Sequence, residues 1–333
     1  MHLAGTVFNV ILGFLRVRTF IMLHLFLLLG YSASLTNNFT TMLFTCSLIL
    51  GGWYIHATSV NDIADREIDK INLNVTNERP LLSGNSSVLL AEIIHAFAGV
   101  VVLVASYVIG ADALFVSACV LMLNYAYSLP PFSISHRGIL APLMLSLGYV
   151  LYPFYLGFRV SGQDLTHFAI WIAAGLYVSF IGRIILKDFR DVIGDKKHGK
   201  RTFIVRHGVK STVCVAMGAW VLGGSIIVWQ LASTSMALLI SAIAILISFV
   251  LLELKRLTSM TKIKQQVAQI GLIGRSGNIV ALFLLFGLTH LSKTDASFNS
   301  GFFITLFIII CFGLAYIHDQ YRYVVQISEQ MAQ

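Results

Sequence analysis

Residues 61–70, NDIADREIDK, place four carboxylates within ten positions of a 333-residue chain in which only 11% of the residues are charged. The rest of the chain is strongly apolar, with 57% hydrophobic residues and a mean hydropathy of +0.82. A globular core of this length could not bury so many apolar side chains. We therefore predict an integral membrane protein, in which such a dense group of carboxylates is expected to have a function.

Apolar stretches long enough to cross the roughly 30 Å hydrocarbon core as helices recur along the whole chain. They predict an all-α, polytopic membrane protein with nine to ten transmembrane helices, forming a single domain over residues 1–333, in which 300–318 is a possible extra C-terminal span. The ten predicted spans are residues 18–36, 40–60, 88–110, 112–128, 138–158, 166–187, 211–232, 235–253, 269–291 and 300–318.

Most of the 23 Lys and Arg residues fall in alternate connecting loops. By the positive-inside rule, this distribution predicts that both termini and residues 61–70 face the cytoplasm. The net charge of +8 is therefore explained by orientation in the lipid bilayer, and no nucleic-acid partner is expected. Because no small-residue cleavage site accompanies the first apolar run, no cleavable signal peptide is expected either.

A second acidic segment, KDFRDVIGDKKHGKRT at residues 187–202, repeats the spacing of the first. In each segment three aspartates are separated by three and then by four residues: Asp62, Asp65 and Asp69 in the first, and Asp188, Asp191 and Asp195 in the second. On a helix this spacing places all three carboxylates on one face. Two such faces on the same side of a membrane would repel each other unless cations lay between them.

Carboxylates without His or Cys suit Mg²⁺, which usually binds through a few carboxylates together with substrate phosphates. A diphosphate is therefore the expected partner, and nearby basic residues could bind its oxygens: Arg79, Lys187, Arg190, Lys196, Lys197, Lys200 and Arg201. Arg183 lies one turn before Lys187 and is expected to point toward the anion, because an uncompensated charge within a membrane helix is costly. For Glu67, Lys196, Lys197 and Lys210, solvated loop charges are the favoured interpretation.

At this point the residues resemble the UbiA superfamily of intramembrane prenyltransferases, along nearly the whole chain. The family's first motif is an Asn-Asp pair followed by two further Asp and an Arg-Pro-Leu, and it is similar to NDIADREID and the following ERPLLSG. Its second Asp-rich motif is similar to residues 187–202, and NYAYSLPPFS at 124–133 resembles its Tyr-Ser-x-Pro-Pro element. The resemblance implies a UbiA-like bundle of helices around a central cavity.

The resemblance also implies roles for individual residues. Mg²⁺ and diphosphate would be bound from one side by Asn61, Asp62, Asp65 and Asp69, and from the other by Asp188, Asp191 and Asp195. Arg79 and Lys187 would hold the diphosphate, and Tyr127 would lie near the reacting prenyl carbon. Lys200 is expected to bind the diphosphate on the ground given above, as a basic residue beside the second acidic segment. The sequence departs from the family at Ser133 and Ser135, where Arg and Lys are usual.

Three further polar positions are left with two interpretations each. Asn124 either contacts the acceptor or forms a hydrogen bond to a neighbouring helix. His56 is either a base or, as we favour, a buried and hydrogen-bonded side chain. The polar residues Arg275, Ser276 and Asn278 either contact an acceptor or mark a helix end at the interface.

The expected function is Mg²⁺-dependent transfer of a prenyl group from a polyprenyl diphosphate to a small acceptor, with an aromatic quinone precursor favoured. A glyceryl-phosphate or other lipid head group is the alternative acceptor. A cation transporter is the alternative of a different class. It is less favoured because the carboxylates lie at the predicted cytoplasmic helix ends beside Arg and Lys, which would repel a travelling cation.

Overall fold

The structure is a computed structural model that describes residues 2–35, 42–72, 79–234 and 236–291. Within this part of the chain, the prediction of an all-α polytopic membrane protein is confirmed. Eight helices are long and apolar enough to cross a membrane, or nine if a bent N-terminal pair counts as one span. The predicted span at 300–318 lies outside the described residues.

The helices follow the predicted spans closely. In chain order they are α1 (His2–Leu15), α2 (Val17–Ala33), α3 (Met42–Ala64), α4 (Arg66–Asn72), α5 (Val88–Ile109), α6 (Ala111–Ser128), α7 (Leu140–Ser146), α8 (Tyr152–Arg159), α9 (His167–Ile184), α10 (Val192–Lys197), α11 (Phe203–Leu231), α12 (Ala237–Leu257) and α13 (Ile263–Leu291). Short 3₁₀ turns cover Ile134–His136 and Ile185–Phe189, and a π turn covers Leu147–Leu151.

The N-terminal helix α1 was not predicted from the sequence. The chain bends by 53° between α1 and α2, at Arg16, which has a left-handed backbone with φ 43°. The bend leaves the Arg16 side chain free to point toward the end of α3, where it contacts Asp62. Arg16, which from the sequence is only one of the loop cations that predict orientation in the membrane, therefore lies at the predicted site.

The predicted span at 138–158 is one membrane crossing built from three pieces, α7, the π turn and α8. The backbone N–H of Tyr152 reaches back five residues to the Leu147 carbonyl. The next residue, Pro153, has no N–H with which to continue the α-helical ladder. This local change in winding lies where Leu147 and Gly148 face a cavity between the helices.

The core consists of two packed groups of helices joined by α2 and α8. One group contains α3, α5 and α6, the other contains α9, α11, α12 and α13, and α2 and α8 supply buried side chains to both. Where α2 and α8 cross, a Cβ on Gly30 would overlap the Phe154 carbonyl and one on Gly157 would overlap the Leu27 carbonyl. Small residues therefore permit the close contact that fixes the two groups.

Each group carries one of the acidic segments at its end. The first segment continues α3 into α4, and the second continues α9 into α10, and α4 packs against α10. Two-residue strands, β1 (Arg137–Gly138) and β2 (Arg201–Thr202), pair in parallel and tie the chain after α6 to the chain after α10. Both acidic segments and the 124–133 element are thereby brought together.

Candidate active site

The first acidic segment is helical through its aspartates, as predicted. Although α3 ends at Ala64, the Asp65 N–H bonds to the Asn61 carbonyl at 2.8 Å, and the Asp69 N–H bonds to the Asp65 carbonyl at 2.8 Å. The i to i−4 pattern therefore continues across the break. Asp62, Asp65 and Asp69 share one face and are all buried.

The second acidic segment has the same spacing but a different backbone, so the predicted continuous helical face is wrong here. Asp188 lies in the 3₁₀ turn, Asp191 precedes α10 with φ −99° and ψ 1°, and Asp195 lies within α10. All three nevertheless line the same cavity. Asp188 and Asp195 are buried, whereas Asp191 is partly exposed.

A cavity of about 170 Å³ lies between the two acidic segments and extends into the helical bundle. Its polar end is lined by most of the predicted site residues: Asn61, Asp65, Asp69, Arg79, Asn124, Tyr127, Lys187, Asp188, Asp191, Asp195 and Lys200. Its other end is lined by apolar and aromatic side chains: Trp53, Val120, Leu123, Met144, Leu145, Leu147 and Tyr149. The cavity thus joins a charged region to an apolar one.

Basic side chains from distant parts of the chain neutralise the first segment. Asp62 pairs with Arg79 and with Arg16, the latter at 2.6 Å, and Arg79 also contacts Asp69 at 3.0 Å. Lys200 lies 2.8 Å from Asp65, so one ion pair links the two segments directly. Asn61 donates from its Nδ2 atom to the same Asp65 oxygen, Oδ2, at 3.0 Å.

The second segment is neutralised by its own neighbours. Lys187 pairs with Asp188 at 2.9 Å and Arg190 with Asp191 at 3.0 Å, while Asp195 has no ion pair among the described residues. The repulsion that we expected between two acidic faces is therefore reduced by basic residues placed between them. From the sequence we expected bound cations to offset this repulsion, whereas in the structure ion pairs with Lys and Arg offset part of it.

Burial nevertheless makes the ionised form of two of these carboxylates less favourable. It raises the pKa of Asp69 to about 6 despite the nearby Arg79, and it raises the pKa of Asp195 to about 7 despite the nearby Lys200. Among the described residues, one carboxylate oxygen of Asp62 and one of Asp195 are buried without a hydrogen-bond partner. Such orphaned carboxylate oxygens fit a hard divalent cation such as Mg²⁺.

The described residues contain no group of three His, Cys, Asp or Glu side chains arranged to hold a metal by themselves. This arrangement agrees with Mg²⁺ chemistry, because Mg²⁺ keeps waters and commonly completes its octahedron with substrate phosphates. The carboxylates would supply only part of the coordination from each side of the cavity.

Arg183 does not point toward the cavity, contrary to the sequence prediction. The chain changes from α-helical to 3₁₀ winding at Ile185, and each 3₁₀ residue turns roughly 20° further than an α-helical one, which rotates Lys187 away from the face of Arg183. Arg183 instead donates to the side-chain oxygen of Asn278 on α13 and lies 5.4 Å from the Phe180 ring centroid. It lines a second, smaller cavity.

That contact also explains the polar stretch in α13. Asn278 binds Arg183, and the Ser276 hydroxyl donates to the Leu272 carbonyl of its own helix at 3.0 Å. Neither residue lines the main cavity, and Arg275 does not line it either. Neither of the two interpretations left open, an acceptor contact or a helix end at the interface, matches the structure, because the three residues lie within α13 and Asn278 forms a helix-to-helix contact instead.

Asn124 and Tyr127 lie on one face of α6 and both line the cavity. The Asn124 amide also lies 3.0 Å from the His56 imidazole, so both interpretations left open for Asn124 remain compatible with its position. His56 itself is 3% exposed and packs against His95, with ring centroids 3.9 Å apart. It does not line the cavity, which agrees with the favoured interpretation of a buried, hydrogen-bonded histidine.

Three cavity residues were missed or undervalued by the sequence analysis. Arg16 was counted only as a loop charge, Asn72 was not considered, and Arg190 was named only as a basic neighbour; all three line the cavity. Spacing could have suggested Asn72, which follows Asp69 by three residues on α4. At the family departure, Ser135 is buried, its hydroxyl has no hydrogen-bond partner in the described part of the chain, and it does not line the cavity.

Comparison with known proteins agrees with this geometry. Residues 19–273 match the UbiA prenyltransferase family. A digeranylgeranylglyceryl phosphate synthase from Sulfolobus acidocaldarius is 31% identical over 194 residues, which cover 56% of this chain and 66% of that protein. A chloroplastic chlorophyll synthase from Arabidopsis thaliana is 27% identical over 179 residues, which cover 49% of this chain and 43% of that protein. The chain thus spans less than two thirds of the length of either relative.

The fold also has a solved counterpart. A UbiA homologue from Archaeoglobus fulgidus, bound to DMAPP and Mg²⁺, matches 84% of this chain and 99% of its own with a TM-score of 0.66 and 17% identity. At that identity the likeness supports the fold alone. Because the family match extends over well more than half of the residues, the chain belongs to the UbiA prenyltransferase family.

Proposed function

We propose that the protein is a Mg²⁺-dependent prenyltransferase that moves a prenyl group from a polyprenyl diphosphate to a glyceryl-phosphate acceptor. The observation that carries this proposal is the shape and charge of one cavity. Two acidic segments interleaved with Arg and Lys line one end, and apolar side chains line the other. A ligand with a multiply charged head and a hydrocarbon tail matches both ends.

The charged end suits a Mg²⁺–diphosphate complex. Asp62, Asp65 and Asp69 would hold metal from one side, and Asp188, Asp191 and Asp195 from the other. When bound, the metal would neutralise charge that builds on the diphosphate as the allylic bond breaks. The carboxylates transfer no proton in this scheme; they position the metal.

The basic residues are proposed to change partners when substrate enters. Arg79, Lys187, Arg190 and Lys200 each pair with an aspartate of the acidic segments. A carboxylate that held metal would leave its basic partner free to donate to a phosphate oxygen. Donors aimed at the leaving diphosphate stabilise the transition state more than the ground state, because its negative charge grows as the bond breaks.

The apolar end would take the hydrocarbon tail and exclude water from the reacting carbon. An allylic cation reacts with any water that reaches it, so a dry wall is needed until the acceptor attacks. Tyr127 lines the cavity close to Lys187 and Asp188, between the charged and apolar ends. Its ring face could stabilise the developing cation there.

The acceptor is where the proposal departs from the sequence expectation. An aromatic quinone precursor was favoured, with a glyceryl phosphate as the alternative. The similarity to a digeranylgeranylglyceryl phosphate synthase at 31% identity supports the alternative better. The rest of the scheme, from metal binding to ionisation, is the same for either acceptor.

A cation transporter fits the structure less well. Ion pathways place carboxylates near the bilayer midplane, often at interrupted helices. Here the second acidic segment follows α9, and each of its cavity-lining aspartates other than Asp195 is paired with a lysine or arginine. We also propose that this site and both termini face the cytoplasm, which is supported by the loop distribution of Lys and Arg.

Diphosphate release from purified protein in detergent tests the proposal. Allylic diphosphates of several lengths would be offered with prenyl glyceryl phosphate, hydroxybenzoate, dihydroxynaphthoate or homogentisate, with Mg²⁺ or with a chelator. We expect metal-dependent release coupled to the glyceryl-phosphate acceptor. Coupling only to an aromatic acceptor would contradict the acceptor assignment, and absence of both release and allylic diphosphate binding would contradict the prenyltransferase assignment.

A further inference from the structure

Asn72, the last residue of α4, connects the two acidic segments. Its side-chain oxygen accepts a hydrogen bond from the backbone N–H of Gly194 in α10, at 2.7 Å and across 122 residues of sequence. A backbone N–H can only donate, so the atom facing Gly194 must be Oδ1. The orientation of the Asn72 amide is therefore fixed, and its NH₂ group takes no part in the hydrogen bond to Gly194.

Gly194 is the residue that permits this contact. A Cβ at position 194 would lie 2.5 Å from Oδ1 and 2.8 Å from Nδ2 of Asn72. Both distances are shorter than any normal non-bonded approach of a carbon atom. A larger residue would therefore push the amide away and separate α4 from α10 at this point.

The NH₂ group of Asn72 is buried and has no hydrogen-bond partner among the described residues. Asn72 lines the charged end of the cavity together with Asp69, Asp191 and Asp195. A buried donor without an acceptor is unfavourable, and native proteins rarely leave one unpaired. A diphosphate bound at the charged end of the cavity would offer acceptor oxygens to this donor.

We infer that Asn72 is a substrate-binding residue whose NH₂ group donates to a diphosphate oxygen while its Oδ1 atom holds the two acidic segments together. The inference rests on the proposed function, since that function supplies the diphosphate. It extends that function by assigning one neutral donor among the charged ones. It also makes the spacing of the two segments depend on the same side chain that contacts the substrate.

Binding of a non-reacting prenyl thiolodiphosphate, measured by calorimetry on the full chain with Mg²⁺, tests the inference without depending on turnover. Asn72→Leu removes the donor, and we expect the dissociation constant to rise about tenfold, as for loss of a hydrogen bond to a charged group. Asn72→Asp keeps the oxygen for Gly194 but replaces the donor by a repelling carboxylate, so binding is expected to weaken further. This variant carries the test if the leucine variant fails to fold.

Two more variants test separately the effect of a charge change on α4 and the effect of the contact between Asn72 and Gly194. Lys70→Gln changes one charge on an exposed residue of the same helix and is expected to leave binding within about twofold, as befits a solvent-exposed ion pair. Gly194→Ala keeps the donor but displaces it, and binding is expected to fall.

Wild-type affinity in Asn72→Leu would overturn the donor role. Wild-type affinity in Gly194→Ala would overturn the linking role. If the wild-type protein itself bound no analogue, the proposed function would fail, and this inference would fail with it.

Discussion

The two acidic segments have the same aspartate spacing, yet they are built and neutralised in opposite ways. The first is helical through all its aspartates, and its basic partners come from 17, 46 and 135 residues away. The second is broken into a 3₁₀ turn and a short helix, and its partners are adjacent residues, as in Lys187–Asp188 and Arg190–Asp191. The ion pairs of the first segment's aspartates therefore depend on tertiary structure, whereas those of Asp188 and Asp191 in the second segment are local.

The exposure of the basic partners shows the same difference. Among the basic partners of the first segment's aspartates, the side chains of Lys200 and Arg79 are 9% and 12% exposed. In the second, those of Lys187 and Arg190 are 37% and 48% exposed. A partner left alone in the first segment stays buried with its charge, whereas one in the second can turn to solvent. Substitutions should consequently affect stability in the first segment and mainly activity in the second.

The largest difference is expected between Asp62→Ala and Asp191→Ala. Asp62→Ala leaves Arg16 without this ion pair and leaves Arg79 with Asp69 alone, and it should lower the free energy of unfolding by about 3 kcal/mol, as when a buried pair loses one member. Asp191→Ala should abolish turnover while the unfolding free energy changes by less than about 1 kcal/mol, because its partner is exposed. Thermal unfolding and diphosphate release would be measured on both. Equal destabilisation by the two variants would contradict the comparison.

The basic partners provide the next test. Arg79→Gln removes a cation that contacts two aspartates and should reduce kcat/KM by roughly 100-fold, as when one donor to developing negative charge is lost. Arg190→Gln should reduce it by only about threefold, since exposed charges contribute little. Steady-state kinetics with varied allylic diphosphate give both values. A larger loss in Arg190→Gln would mean that the locally paired segment dominates catalysis.

Lys200→Met removes the ion pair that joins the segments. Burial lowers the pKa of the Lys200 ammonium, but the carboxylates of Asp65 and Asp195 together more than compensate, so the pKa is raised and the side chain stays charged. Without it, Asp65 is left near other carboxylates, and kcat/KM should fall about tenfold. The loss in unfolding temperature should shrink when Mg²⁺ is added, because the metal replaces the missing charge. Lys197→Met, an exposed neighbour, is the control and should behave like wild type.

The smallest effect concerns the apolar end, which should be independent of both acidic segments. A Cβ at Gly148 would lie 2.7 Å from the Trp53 ring, so Gly148→Ala should push the indole into the cavity. We expect kcat/KM for the longest allylic diphosphates to fall about fivefold relative to the shortest, with inorganic diphosphate inhibition unchanged, as for a change of about one methyl group in an apolar pocket. Altered inhibition by inorganic diphosphate would show that the two ends are coupled.

Much of this arrangement could be predicted from the sequence, and the limits have physical causes. Helix positions followed from apolar runs, because a membrane helix must satisfy its own backbone and therefore spans a fixed length. The meeting of aspartates from both segments at one cavity followed from their spacing and their predicted side of the membrane. Five of the six line the cavity, and Asp62 pairs with Arg16 and Arg79 instead. The path of the second segment did not, because a three-and-four spacing is compatible with a helix and with a 3₁₀ turn followed by a short helix.

The contacts between remote residues were the part that the sequence could not supply. Arg16 reaches Asp62 only because the chain bends between α1 and α2. The contact between Asn72 and Gly194 could not be predicted from spacing along the chain. The predicted direction of the Arg183 side chain was wrong because the helical winding changes two residues later. Each depends on tertiary geometry that local patterns do not encode.

The central claim is that the two acidic segments form one binding site for metal and diphosphate. It is tested most directly by determining the structure with Mn²⁺ and a prenyl thiolodiphosphate and locating the metal by its anomalous scattering. The account predicts anomalous density between the carboxylates of residues 62–69 and those of residues 188–195, with the diphosphate beside it and the tail toward Trp53. Metal bound to one segment alone, or elsewhere in the molecule, would contradict it.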